Sequence, residues 1–145
     1  MTEPREPTIE GIHHFGLTVR DVEASAGWYA EVLGFRRIGK FESADGGRRK
    51  VFLRHKGLGA RLGLVQHRGG SPEAFDETHV GLDHLSFAVA DRAALDAWAV
   101  RLAAFAVVHS PIAEANSIPG AAVLVLRDPD NIQLELFFDP SDGPE

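Results

Sequence analysis

Two histidines and one glutamate stand in this 145-residue chain where a metal could use them. His14 and His84 each sit in a short run of β-formers, IHHFGLTV and LDHLSFAV, followed by an Asp and a stretch with helical spacing. Residues two apart on a strand share a face. His14 therefore faces the same way as Gly16 and Thr18, and His84 the same way as Ser86 and Ala88, opposite the large apolar residues of each run. A lone strand histidine is ordinarily a hydrogen-bonded structural residue, whereas two on the small, polar face of duplicated segments read as ligands. Glu135 lies between Leu134 and Leu136 and faces away from both. It is either an exposed edge-strand acid or a buried one that requires a cation or hydrogen bonds, because an unpaired buried carboxylate costs several kcal/mol. Two imidazoles and one carboxylate leave open coordination positions, a donor set suited to non-heme Fe(II) that would also accept Mn, Co, Ni or Zn.

The elements that must position these residues come from a duplication. Ile12 to Phe35 laid over Leu82 to Phe105, at a constant offset of 70, pairs His14 with His84, Val19 with Val89 and Asp21 with Asp91. It also pairs Ala24 with Ala94, Trp28 with Trp98 and Phe35 with Phe105. Asp21 and Asp91 stand where an N-cap side chain accepts hydrogen bonds from the first free amides of a helix. Val22, Ala26, Tyr29 and Leu33 share one face of the first helix, which Gly34 ends. Leu95, Trp98, Ala99 and Leu102 form the same stripe in the second, so both Trp residues read as core anchors. Strands are expected at about 36–42, 50–55 and 61–67, and again at about 106–110, 121–127 and 132–138. Each half thus reads as strand, helix and three strands in one domain over 1–145: module one at about 11–67, a Gly/Ser/Pro connector at 68–80, and module two at about 81–138. If the halves pack about a pseudo-twofold axis, the strands bearing His14, His84 and Glu135 can converge. The position symmetric to Glu135 is Gly63, which cannot ligate.

Composition narrows the chemistry. There are no cysteines, which removes thiolate metal sites, disulfides and cysteine nucleophiles. A net charge of −6 with interspersed signs argues against nucleic acid. Arg48, Arg49 and Lys50 beside Gly46 and Gly47 read as a solvated turn, with a substrate-carboxylate clamp as the minor alternative. The opening MTEPREPTIEG is polar and no stretch approaches membrane-spanning length, so no membrane partner and a cytoplasmic location are expected. Met1 to about Glu10 and Pro140 to Glu145 read as loose tails.

The opening HHFGLTVRDVEASAGWYAEVLGF, the DHLSFAV start of the second half and the ending RDPDNIQLELF resemble the vicinal oxygen chelate superfamily of glyoxalases, bleomycin-resistance proteins and extradiol dioxygenases. The resemblance covers the chain outside its tails. It implies an α+β fold in which two tandem βαβββ modules form a cup-shaped mixed sheet around a metal site. His14, His84 and Glu135 match family ligand positions, with Glu135 also able to leave the metal and act as a base. Glyoxalase I enzymes usually carry a further Glu where this chain has Gly63. The favoured expectation is therefore an Fe(II) dioxygenase-type oxygenase acting on a small oxygen-chelating substrate. A metal-dependent lyase or isomerase and a non-catalytic drug- or metabolite-binding resistance protein are the alternatives. Small members commonly pair, so a homodimer is expected, with the metal held within one chain or shared between two.

His13 faces away from His14 and has Asp83 as its counterpart, so it stays outside the ligand set. His55, His67, His79 and His109 have no duplicated partners, and His67, with the strand parity of Gly63, is the spare candidate. Asp128, Pro129 and Asp130 read as turn-forming, with Asn131 in the left-handed conformation of a tight turn.

Overall fold

The computed structural model describes residues 1–141. The chain runs β1 (His14–Thr18), α1 (Val22–Leu33), β2 (Arg36–Glu42), β3 (Arg48–Arg54), β4 (Arg61–His67), β5 (Leu85–Ala88), α2 (Arg92–Ala104), β6 (Ala113–Glu114), β7 (Ala122–Arg127) and β8 (Gln133–Phe138). These elements form two mixed sheets, ordered β1-β4-β3-β2 and β5-β8-β7-β6, each with one parallel pair at its β1 or β5 edge. The α+β architecture of two βαβββ modules is the one expected. No regular structure occurs before His14, and the expected C-terminal tail lies, past residue 141, outside the described residues. No helix among the described residues is long and apolar enough to cross a membrane.

Local chemistry explains the helices. The Asp21 carboxylate accepts from the amides of Glu23 and Ala24, and Asp91 from that of Ala94, satisfying donors a first helical turn leaves free. Gly34, at φ 79°, ends α1. Val22, Ala26, Tyr29 and Leu33 are all buried, as are Leu95 and Leu102 of α2. Trp28 and Trp98 pack against this core from its margin and are half-buried.

Two strand expectations change. Instead of a strand at 106–110 there is one isolated bridge, His109 to Leu126, and β6 forms later and is two residues long. Ala106 takes φ 55° as α2 ends, and Pro111 has no N–H to give a ladder; the Ser110 hydroxyl instead accepts from the Val125 amide. Arg48, Arg49 and Lys50 open β3 rather than forming a turn. The turn before them is closed by Asp45, which accepts from Ser43 Oγ and the Gly47 amide.

The modules join through their helical sides. Arg20 donates from its backbone N–H and Nε to Asp130 Oδ1, at 3.0 and 2.7 Å, and Ser25 Oγ donates to Asp130 Oδ2. Tyr29 Oη donates to Asp128 Oδ2 at 2.8 Å. Arg101 of α2 reaches the Val32 and Glu31 carbonyls at the end of α1. Asp128 and Asp130, each 5% exposed, are therefore more than turn formers: they latch module two onto α1. Asn131 does take the left-handed conformation, at φ 68°.

Candidate metal centre

One face of each sheet goes into the shared core, through Leu17, Leu53, Leu62 and Leu64 in the first and Leu124, Leu126, Leu134 and Leu136 in the second. The opposite face of each carries the candidate ligands. On the first sheet, His14, Gly16 and Thr18 pair with Arg61, Gly63 and Val65, and His14, Gly16 and Thr18 are exposed. On the second, Ser86 pairs with Glu135 and Ala88 with Phe137, with His84 just before β5.

His84 and Glu135 meet. His84 Nε2 lies 3.7 Å from Glu135 Oε2, with the two side chains 43% and 18% exposed. Metal–ligand bonds of about 2.0–2.2 Å at tetrahedral to octahedral angles separate two donor atoms by about 3.0–3.4 Å, so a small side-chain rotation suffices for both to hold one ion. His84 Nδ1 donates to Asp83 Oδ1 at 2.7 Å, which leaves Nε2, facing Glu135, as the nitrogen a metal would take. A carboxylate on the far ring nitrogen is the usual support of a metal-binding imidazole. Asp83, foremost, and Glu135 raise the pKa of His84, while burial opposes them. The donor set fits a divalent metal.

His14 stands apart. Among the described residues no group of three or more His, Cys, Asp and Glu is close enough to hold a metal, so one chain assembles two of the three candidates. The ring of His14 contacts His13 instead, Nδ1 to Nδ1 at 2.9 Å, and Arg61 Nη1 approaches His13 Nε2 at 3.1 Å. The residue before each candidate histidine thus abuts its Nδ1 in both modules, a role for His13 and Asp83 that strand parity alone did not indicate. Gly63 occupies the register position matching Glu135, opposite Gly16 as Glu135 is opposite Ser86.

The remaining histidines lie elsewhere. His55 Nε2 donates to the Leu33 carbonyl and its Nδ1 accepts from Gly57. His109 Nδ1 donates to Ser110 O. His67, exposed at the end of β4, lines a cleft with Thr18, Arg20 and Asp130.

The chain thus presents paired βαβββ modules with a histidine on the open face of each and an acid beside one of them. A family model described as the Glyoxalase/Bleomycin resistance protein/Dioxygenase superfamily matches residues 11–136, and the chain belongs to that superfamily. Among solved structures it is similar to a glyoxylase/bleomycin resistance protein/dioxygenase domain from Frankia sp. EAN1pec, at 35% identity and TM-score 0.81, over 91% of this chain and 99% of that one. The fold is shared with a lactoylglutathione lyase from Agrobacterium tumefaciens, at 20% identity and TM-score 0.69, over 95% and 100% of the chains. It is also shared with a fosfomycin resistance protein from Listeria monocytogenes complexed with Mn(II) and sulfate, at 17% identity and TM-score 0.67, over 90% and 93%. No curated protein matches the chain significantly.

Proposed function

We propose that this protein is a metal-dependent oxygenase for a small oxygen-chelating substrate, with Fe(II) as its metal and its site shared between two copies of the chain. His84 and Glu135 of one copy and His14 of the other would hold the ion. The observation that carries this reading is the 3.7 Å approach of His84 Nε2 to Glu135, with Nδ1 tied to Asp83, on a sheet face left open while His14 waits on the matching open face of module one. Among the described residues edge strands β1 and β5 are unpaired on their outer sides, which leaves room for the two faces to close over each other in a homodimer.

Bound there, Fe(II) supplies Lewis acidity toward a chelating substrate and the redox capacity an oxygenase needs. The chain's own residues do the rest. Asp83 holds the His84 ring in the tautomer that presents Nε2. Glu135 would contribute the negative charge, and Gly63, the register counterpart of Glu135, brings no second carboxylate to the ion. A site with one carboxylate favours an oxygenase over a glyoxalase-type isomerase. Val125, directly opposite Glu135, and Phe137, two residues along the same strand, are half-buried and limit water beside it.

The test is metal content of anaerobically purified protein, then oxygen uptake with a catechol panel after Fe(II) loading. Stoichiometric metal in the wild type and its loss in Glu135→Ala are expected, and oxygen uptake is expected with at least one catechol. Metal without uptake would overturn the oxygenase reading. Mixing His14→Ala with Glu135→Ala tests the sharing: random pairing restores about a quarter of the wild-type sites, because half the pairs are mixed and each regains one site of two. No recovery would refute a site split between copies.

A further inference from the structure

The open face of module one carries more than His14. The register places Arg61 beside His14 and Arg36 beside Arg54, and one position beyond the Leu53 and Leu62 pair, Arg54 and Arg61 come next to each other. A cross-strand row therefore runs His14, Arg61, Arg54, Arg36. Like charges directly opposite one another destabilise a sheet. Among the described residues none of the three arginines forms an ion pair, although the chain holds 21 acidic residues. Arg61 directs one N–H at His13 and keeps the others.

Module two supplies the internal contrast. Arg127, paired with Gln133 one position beyond the Leu126 and Leu134 pair, is the counterpart of Arg54. The chain gives it a carboxylate of its own: Arg127 binds Glu77 through Nη1 and Nη2 at 3.0 and 2.8 Å and Gln133 at 2.9 Å. Among the described residues Arg54 has no such partner. The next row of module one is Gly16, Gly63, Phe52 and Gly39, where the half-buried Phe52 ring lies beside the side-chain positions of Gly39 and of Gly63, which is itself buried, and Gly16 is exposed. A flat ring can pack against the half-buried Phe52 ring there.

We propose that Arg61 and Arg54 form a carboxylate-binding subsite and that the substrate class is a monocyclic aromatic carboxylate with vicinal oxygens. This rests on the metal-centre reading, which places those oxygens at the ion beside His14. Strands are about 4.8 Å apart, so Arg61 and Arg54 stand about 5 and 10 Å along the sheet from His14, a span that one ring with a carboxylate opposite its oxygens covers. Guanidinium forks match carboxylates bidentately, which gives orientation as well as affinity.

Calorimetry without oxygen on Mn(II)-loaded protein, comparing 3,4-dihydroxybenzoate with catechol, tests the subsite. The acid is expected to bind at least about tenfold more tightly, the size set by charge-assisted hydrogen bonds. Arg54→Gln and Arg61→Gln each bring the ratio of the two dissociation constants toward one, whereas Arg48→Gln, exposed at the start of β3, preserves it. Equal binding of the two ligands by the wild type, or a ratio that survives both substitutions, overturns the proposal. If binding of both ligands proves indifferent to metal, the metal-centre reading fails. Binding of the acid that still depends on Arg54 and Arg61 then sustains the subsite, and no binding of the acid overturns it as well.

Discussion

Replacing Tyr29 with Phe isolates the latch between the modules. Tyr29 is fully buried and Phe keeps its ring, so the substitution leaves no large cavity and removes one hydroxyl. That hydroxyl is the partner of Asp128 Oδ2, since Oδ1 takes the amides of Asp130 and Ile132. Burial foremost, with the Asp128 charge, raises the Tyr29 pKa, so the phenol stays protonated as donor. A hydrogen bond to a charged group contributes about 1.5–3 kcal/mol, and Tyr29→Phe would strand a carboxylate oxygen out of water, so a loss of about 2–3 kcal/mol is expected near neutral pH. That is a large share of ordinary domain stability, and lowers Tm by roughly 5–10 °C.

The pH dependence has a definite sign. Burial raises the Asp128 pKa above its ordinary 3.8, while hydrogen bonds, that of Tyr29 included, pull it back. Wild-type stability from this group therefore falls as pH rises from 3.8 through the raised value, because the folded state holds the proton more tightly. The Tyr29 bond opposes that fall: its contribution is largest with Asp128 ionised and shrinks as the carboxyl protonates. Urea denaturation of both proteins at about pH 8 and about pH 4 is expected to give the larger difference at the higher pH. A difference below about 0.5 kcal/mol, or one equal at both pH values, would refute the latch.

Asp83→Asn should weaken metal binding about 10- to 100-fold with little change in Tm, measured by competition with a chelator, because it loosens the His84 ring without touching the core. At Gly63 the first side-chain carbon of a Glu meets only ordinary contacts, 3.8 Å from Phe15 O and from the Phe52 ring. Gly63→Glu should tighten Mn(II) about tenfold or more while abolishing oxygen uptake, by adding a second carboxylate to the ion; unchanged affinity would show that position 63 does not face the ion. The Arg127 guanidinium holds Glu77 down to about 2 from an ordinary 4.5. The stability this brings is present above 4.5 and lost as pH falls toward 2, so Glu77→Gln should flatten acid denaturation across that window.

Much of this was legible in residue order because it depends on period. Duplication at an offset of 70 identified both capped helices, and strand parity put His14 opposite Leu17 and Glu135 opposite Leu134. What period cannot carry is how one module turns relative to the other. Asp128 and Asp130 read as turn residues because their partners, Tyr29, Ser25 and Arg20, lie about a hundred positions away. The same unknown rotation separated His14 from His84 and Glu135. The short β6 was missed because Ala106 adopts a backbone conformation few alanines take. The arginine row lay in plain view, but only with strand register known do three arginines scattered from 36 to 61 become neighbours.

The core of this fold lies on the helical side of both sheets, so each chain can complete its interior while its ligand-bearing faces stay open. Folding and site assembly are then separate equilibria. A centre divided between copies makes metal affinity depend on protein concentration: dilution releases the ion without unfolding the chain, and the ion in turn tightens the pair by the same factor.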